Sequence, residues 1–127
     1  MLARLRNRVH QVISCFTIVH LDESKNILAQ KTVVNSSDLL MRDYRDAEIA
    51  DCVASGDPMD KAGSYAIQHP EFAPGAKLDG CISSVMGLPL ADLVGCLGEF
   101  GIHLKIALPV LCEKHAGFPC CQRLSAT

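Results

Sequence analysis

The sequence shows no excess of charge in either direction. Lysine and arginine number 12, aspartate and glutamate 14, for a formal net charge of −2. That balance gives no reason to expect nucleic acid or an anionic membrane as a partner. No apolar run reaches the ~18 residues of a transmembrane helix. The opening residues carry neither an apolar h-region nor a small-residue cleavage site, so no export signal is read and a cytoplasmic location with reduced cysteines is expected. A Gly-x-Ser-x-Gly elbow, a Walker loop and a Rossmann fingerprint are all missing. So are internal repeats, low-complexity runs and any linker that would split the chain. His10, His20, His69 and His103 have no partners nearby in sequence, which gives a catalytic histidine no support. The seven cysteines are an odd number, which argues against a closed disulfide framework.

What is present is enough for one ordinary domain, 1–127, with a real core: 127 residues, 49% of them hydrophobic. Cys15, Cys52, Cys81 and Cys96 stand in apolar contexts and read as small buried hydrophobes. Val12 to Val19 is β-branched and aromatic, and predicts a strand. Asp22 to Asn26 is a polar turn, and Ile27 to Val34 a second strand, so the two form a hairpin. Asn35 to Asp38 breaks the pattern, and Leu39 to Tyr44 reads as a short edge strand. Asp46 to Ser55 has Ile49, Cys52 and Val53 at helical spacing, with Asp43 or Asp46 as its cap and Gly56 just past its end. Ser64 to Gln68 reads as a short strand. Leu78 to Met86 reads as another, in which Gly80 marks a bulge or a close backbone approach. Pro89 opens a helix that buries Leu90, Leu93, Val94 and Leu97, and Gly101 ends it. Ile102 to Leu108 alternates as a last strand, and the tail 109–127 reads as irregular. The expected fold class is α/β, a mixed sheet with flanking helices.

The chain is organised around Ser55 to Gln68, where two glycines, a proline, Asp60, Lys61, Tyr65 and Gln68 lie between apolar elements. A polar loop held by rigid flanks is a common place for function. A lysine beside a glycine turn can hold a phosphate. Gln68 carries both a donor and an acceptor for the edge of a base, and Tyr65 can stack or hydrogen-bond. The plainer alternative is a solvated ion pair, a core tyrosine and a capping glutamine. Gly80 to Leu90, rich in small residues, either approaches a ligand or makes a tight strand-to-helix junction. In the tail, Cys112, His115, Cys120 and Cys121 offer a zinc set at an unusual spacing, with a weakly ordered tail as the alternative.

Ser55 to Gln68 resembles the Maf family signature, a glycine-acid-proline turn followed by Asp-Lys-Ala-Gly-Ala-Tyr-Gly-Ile-Gln. Val85-Met86-Gly87-Leu88-Pro89-Leu90 is similar to the family's Val-Gly-Leu-Pro-Leu. Asp46 to Ile49 resembles the acidic helix opening before the signature, and Arg8 to Val12 the Gly-Arg-Thr-His-x-Val of a middle strand. The resemblance runs from about Arg4 to Gly101. It implies a fold related to the inosine-triphosphate pyrophosphatases, with a cleft between two lobes. It also implies a pyrophosphatase that converts a nucleoside triphosphate, pyrimidine or modified, to the monophosphate and pyrophosphate with a divalent cation, Mg²⁺ or Mn²⁺. The family was first linked to septum formation, and a homodimer is one expected assembly.

Two family motifs have no counterpart here: the Ser-x-Ser-Pro-Arg-Arg phosphate loop, and the Asp-Thr-Val whose aspartate is the proton acceptor. The catalytic residue is therefore unassigned, and the chain is expected to be the family's back portion. By the resemblance, Asp60, Lys61, Gly63, Tyr65 and Gln68 line the substrate cleft. Gln68 reads the base, Lys61 holds the substrate or the loop, and Asp60 orients Lys61 or a metal-bound water. No residue is assigned as a metal ligand. The alternative expectation is a non-catalytic nucleotide-binding or dimerisation fragment. Either way, loss of the front strands would leave unpaired sheet edges, an aggregation liability.

Overall fold

The computed structural model describes residues 1–124. A short helix, α1 (Leu2–Leu5), precedes two long strands, β1 (Val9–Leu21) and β2 (Ile27–Met41). The sequence predicts their middle portions. Each runs further because the partner strand extends it: Val9 to Leu21 pair antiparallel with Leu40 to Ile27, with one register shift at His20 and Leu21. The polar stretch Asn35 to Asp38 does not interrupt β2. Ser37 is buried there and its hydroxyl accepts the Cys81 amide at 2.9 Å. Leu39 to Met41 therefore belongs to β2, which is the central strand and not an edge. A third strand, β3 (Gly75–Asp79), closes a sheet of order β1-β2-β3. The α/β class and the flanking helices agree with expectation, but both pairings are antiparallel and not mixed.

Helix α2 (Asp46–Ala54) forms where the apolar stripe predicts. Its start is held by Glu48, whose carboxylate accepts the Arg45 amide at 2.8 Å, and not by Asp43 or Asp46. Gly56 follows in the left-handed conformation, φ 79°, as a helix C-terminus favours. The core gathers Leu39, Met41, Tyr44, Cys52, Ile67, Phe72 and Ile82, with Leu2 against them. Tyr44 is fully buried, and its hydroxyl donates to the Leu2 carbonyl at 2.7 Å, so the one polar atom of a large buried ring is satisfied.

Three expected strands are corrected. Ser64 to Gln68 forms no strand, because Gly63 (φ 70°) and Ser64 (φ 64°) turn the chain through positive φ. Leu78 to Met86 splits into the end of β3, a turn at Gly80, and helix α3 (Ile82–Val85). Helix α4 (Leu90–Glu99) follows from Pro89, with Cys96 buried and Leu90, Leu93, Val94 and Leu97 half-buried. Ile102 to Ala107 then alternates in polarity but pairs with nothing, leaving Ile102, Leu104 and Ile106 exposed. The tail is also corrected. It carries helix α5 (Leu108–Ala116) and helix α6 (Cys121–Leu124); Cys112 of α5 and Cys120, just before α6, are buried in the core. Among the described residues no helix is long and apolar enough to cross a membrane.

Candidate functional site

The signature loop is built from two 3-10 turns, Asp57–Asp60 and Ala62–Ser64. Pro58, buried in the first turn, stops α2 from continuing. Lys61 ties the turns together. Its ammonium donates to the Asp57 carbonyl at 2.7 Å and to Asp60 Oδ1 at 2.9 Å, and lies 3.1 Å from Asp57 Oδ1. Asp60, then Asp57, raises the Lys61 pKa, and Lys61 in turn holds the Asp60 carboxyl below its usual range. Gly63 lets the chain fold back on itself. A Cβ at that position would lie 3.0 Å from the Tyr65 ring, in a backbone conformation already unfavourable to other residues.

That fold-back points Tyr65 at β1. Its hydroxyl sits 2.8 Å from His10 Nε2, with the rings edge to face at 5.7 Å. Burial pushes the Tyr65 pKa up to about 12, so the phenol keeps its proton. Burial also lowers the His10 pKa, partly offset by the Leu39 carbonyl. A neutral imidazole accepting from a neutral phenol is the protonation state these shifts favour.

Around this pair lies an open cavity of about 600 Å³. Its walls come from β1 (His10 to Ser14), the signature loop (Lys61 to Gln68, apart from Ser64) and the junction Val85 to Gly87, with Met1 and Leu5 at one end. Of the five residues expected at a substrate cleft, Lys61, Gly63, Tyr65 and Gln68 line it. Asp60 does not: it is 83% exposed and reaches the site only through Lys61. Gln68 is exposed at the wall. The second expected segment also arrives: Val85 to Gly87 approaches because Ser14 donates from its hydroxyl to the Ser84 carbonyl at 2.8 Å.

These neighbours come from three separate stretches, and each overlaps a stretch that carries the resemblance. The chain belongs to the Maf-like family. The model described as "Maf-like protein" matches residues 1–100. A dTTP/UTP pyrophosphatase of Dehalococcoides mccartyi (strain CBDB1) is 39% identical over 106 residues, covering 84% of this chain and 46% of that relative. One from Dictyoglomus turgidum is 42% identical over 103 residues, covering 81% and 51%. One from Escherichia coli O157:H7 is 38% identical over 117 residues, covering 92% and 54%. This Maf-like chain thus spans about half the length of the curated relatives it matches.

His10 is the site residue that sequence reasoning missed. Its partner lies 55 positions away, beyond any local pattern, although the similarity of Arg8 to Val12 to the family's middle-strand motif was a usable signal. The zinc set finds no support. Among the described residues no three His, Cys, Asp or Glu gather as a metal site, and the His115 side chain lies outside the described residues. Instead Cys112 and Cys120 are buried in the core with Cys121 packed against it, all as free thiols. Burial pushes Cys112 up to about 11 and Cys121 up to about 12, the marks of inert core thiols. Cys52, Cys81 and Cys96 are buried as expected, but Cys15 is exposed on β1.

Proposed function

We propose that the cavity binds a pyrimidine nucleoside triphosphate, and that this chain supplies the base-recognising side of a pyrophosphatase that cleaves dTTP or UTP to the monophosphate and pyrophosphate. The observation that supports this is convergence. Lys61, Gly63, Tyr65 and Gln68 line one cavity large enough for a nucleotide. The name shared by the relatives, dTTP/UTP pyrophosphatase, supplies the substrate class.

Each residue then has a physical role. Gln68, with no side-chain partner among the described residues, offers donor and acceptor to a pyrimidine edge. Tyr65, fixed by His10, is a wall on which a base stacks. Gly63 permits that placement. Lys61 is already neutralised by Asp57 and Asp60, so it holds the loop and not a phosphate, and Asp60 orients Lys61. The divalent cation implied by the resemblance does not fit these residues, because the lining contains no carboxylate. The same lack leaves no acid in the lining to take a proton from an attacking water. That observation favours a second reading, a module that binds the nucleotide without turning it over.

Binding and pyrophosphate release should be measured together for dTTP, UTP, CTP, GTP and ATP, with Mg²⁺ or Mn²⁺. Tighter binding of dTTP and UTP than of the purine nucleotides is expected, weakened about fivefold in Gln68→Ala, the equivalent of a lost base hydrogen bond of about 1 kcal/mol. Release along with binding supports the enzyme, and binding without release supports the module. Equal, weak binding of all five nucleotides, unchanged in Gln68→Ala, would sink both readings.

A further inference from the structure

The Tyr65 hydroxyl makes one hydrogen bond among the described residues, the 2.8 Å contact with His10 Nε2. The far side of the imidazole fixes its direction. His10 Nδ1 is buried and makes no close hydrogen bond of its own. The polar group that faces the ring is the carbonyl of Leu39, which lies opposite His10 in the β1–β2 register. A carbonyl only accepts, so the single proton of the neutral imidazole belongs on Nδ1. Nε2 is left with a lone pair, and the Tyr65 hydroxyl must donate to it. Burial acts in the same sense on both partners, favouring the neutral imidazole and the protonated phenol. The outcome is a phenol oxygen with no proton to give. Its hydrogen is committed to His10, and only lone pairs remain open to a ligand. Both residues line the cavity of about 600 Å³, so a ligand group that meets this oxygen has to be a donor.

We infer that the Tyr65 oxygen accepts a hydrogen bond from the 3′-hydroxyl of the nucleotide sugar, with His10 as the positioning residue that makes it an acceptor. This rests on the proposed function and follows from it by elimination. Apart from the phosphates, dTTP and UTP share two donors, the base N3–H and the sugar 3′-hydroxyl; the 2′-hydroxyl belongs to UTP alone. The Tyr65 ring takes the face of the base, and Gln68 takes its edge, where N3–H lies. A hydroxyl on the rim of a stacked ring sits out of the base plane and beside the sugar. The 3′-hydroxyl is the donor left to it. A substituent there that can only accept meets lone pair with lone pair, so the site discriminates at the sugar as well as at the base.

Two measurements test this. Nitrogen-15 NMR of the histidine-labelled chain reads the tautomer with no nucleotide present. His10 Nε2 is expected at the shift of an unprotonated ring nitrogen, and Nδ1 at that of a protonated one. Binding is then compared for dTTP, its 3′-fluoro analogue and dCTP. The fluoro group is close in size to the hydroxyl and has no proton, so this analogue should bind roughly fivefold more weakly than dTTP, the effect of one lost hydrogen bond. Tyr65→Phe removes the oxygen, keeps the stacking ring and should bring the two to equality. His10→Phe keeps a ring against Tyr65 but frees the phenol proton, and should narrow the same ratio, which a loss of packing alone would not do. Tyr65→Phe carries the test if His10→Phe misfolds. A proton on Nε2 would overturn the inference. So would equal binding of dTTP and its fluoro analogue by the native chain, or a preference that survives Tyr65→Phe. A Tyr65→Phe effect on the ratio of dTTP to dCTP instead would move the contact to the base N3–H and overturn it too. Equal binding of the two thymidine nucleotides leaves the proposed function standing. No binding of any nucleotide, with the tautomer as stated, sinks the proposed function and the sugar contact together.

Discussion

Gly80 shows how a single missing atom positions the site. It lies at φ +138°, and a Cβ there would sit 2.8 Å from the Ser37 Cα. The contact lets Ser37 reach the Cys81 amide and fixes where α3, and hence Val85 to Gly87, meets β1. Gly80→Ala should cost about 3 kcal/mol or more, lowering Tm by roughly 10 °C in a calorimetric scan. An unchanged Tm would mean that Ser37 swings aside without loss. This glycine was legible in the sequence as a close approach, since a glycine inside an apolar run has few other reasons to be there. His10 was not legible, because a histidine acquires meaning only from what folds against it, and Tyr65 is brought there by two turns whose angles the sequence hints at only through Gly63.

Among the elements, α2 carries a built-in pH dependence. Glu48 accepts the Arg45 amide and pairs with the Arg42 guanidinium at 2.9 Å, and these contacts hold its pKa at about 2, below the ordinary 4.5. A depressed carboxyl pKa stabilises the fold fully above the unfolded value and loses that effect as the pH falls through the folded value. Stability should therefore decline between about pH 4.5 and pH 2. Glu48→Gln should show a shallower decline in urea midpoints measured over that range, and parallel curves would remove Glu48 as the cause. The helix itself was legible from its stripe and its glycine stop. The run Ile102 to Leu108 shows the limit of that kind of reading. Alternation describes a strand that has a partner, and here the sheet offers none, so the chain passes exposed into α5. The tail was misread for the converse reason: α5 and α6 bury cysteines, and a cysteine gives no periodic signal strong enough to announce a buried face.

For the molecule as a whole, the signature of Ser55 to Gln68 made the family legible before any contact was known. The antiparallel order of the sheet was not, because strand neighbours follow from long-range pairing. The hairpin is the exception, since its strands are joined by five residues. There Asp22 accepts the Asn26 amide at 2.8 Å through Oδ1 and the Asn26 side chain through Oδ2, and Lys25 sits at φ 66°. All of the β1–β2 ladder can be reached by zipping outward from this one turn, so the largest tertiary surface in the chain forms at little cost in loop closure. The turn should therefore be organised in the folding transition state. In stopped-flow refolding, Asp22→Ala should slow folding and leave the unfolding rate nearly unchanged, whereas Gly80→Ala, which acts on a junction made later, should mainly speed unfolding. The short turn would then set the rate at which the cavity wall carrying His10 comes into being.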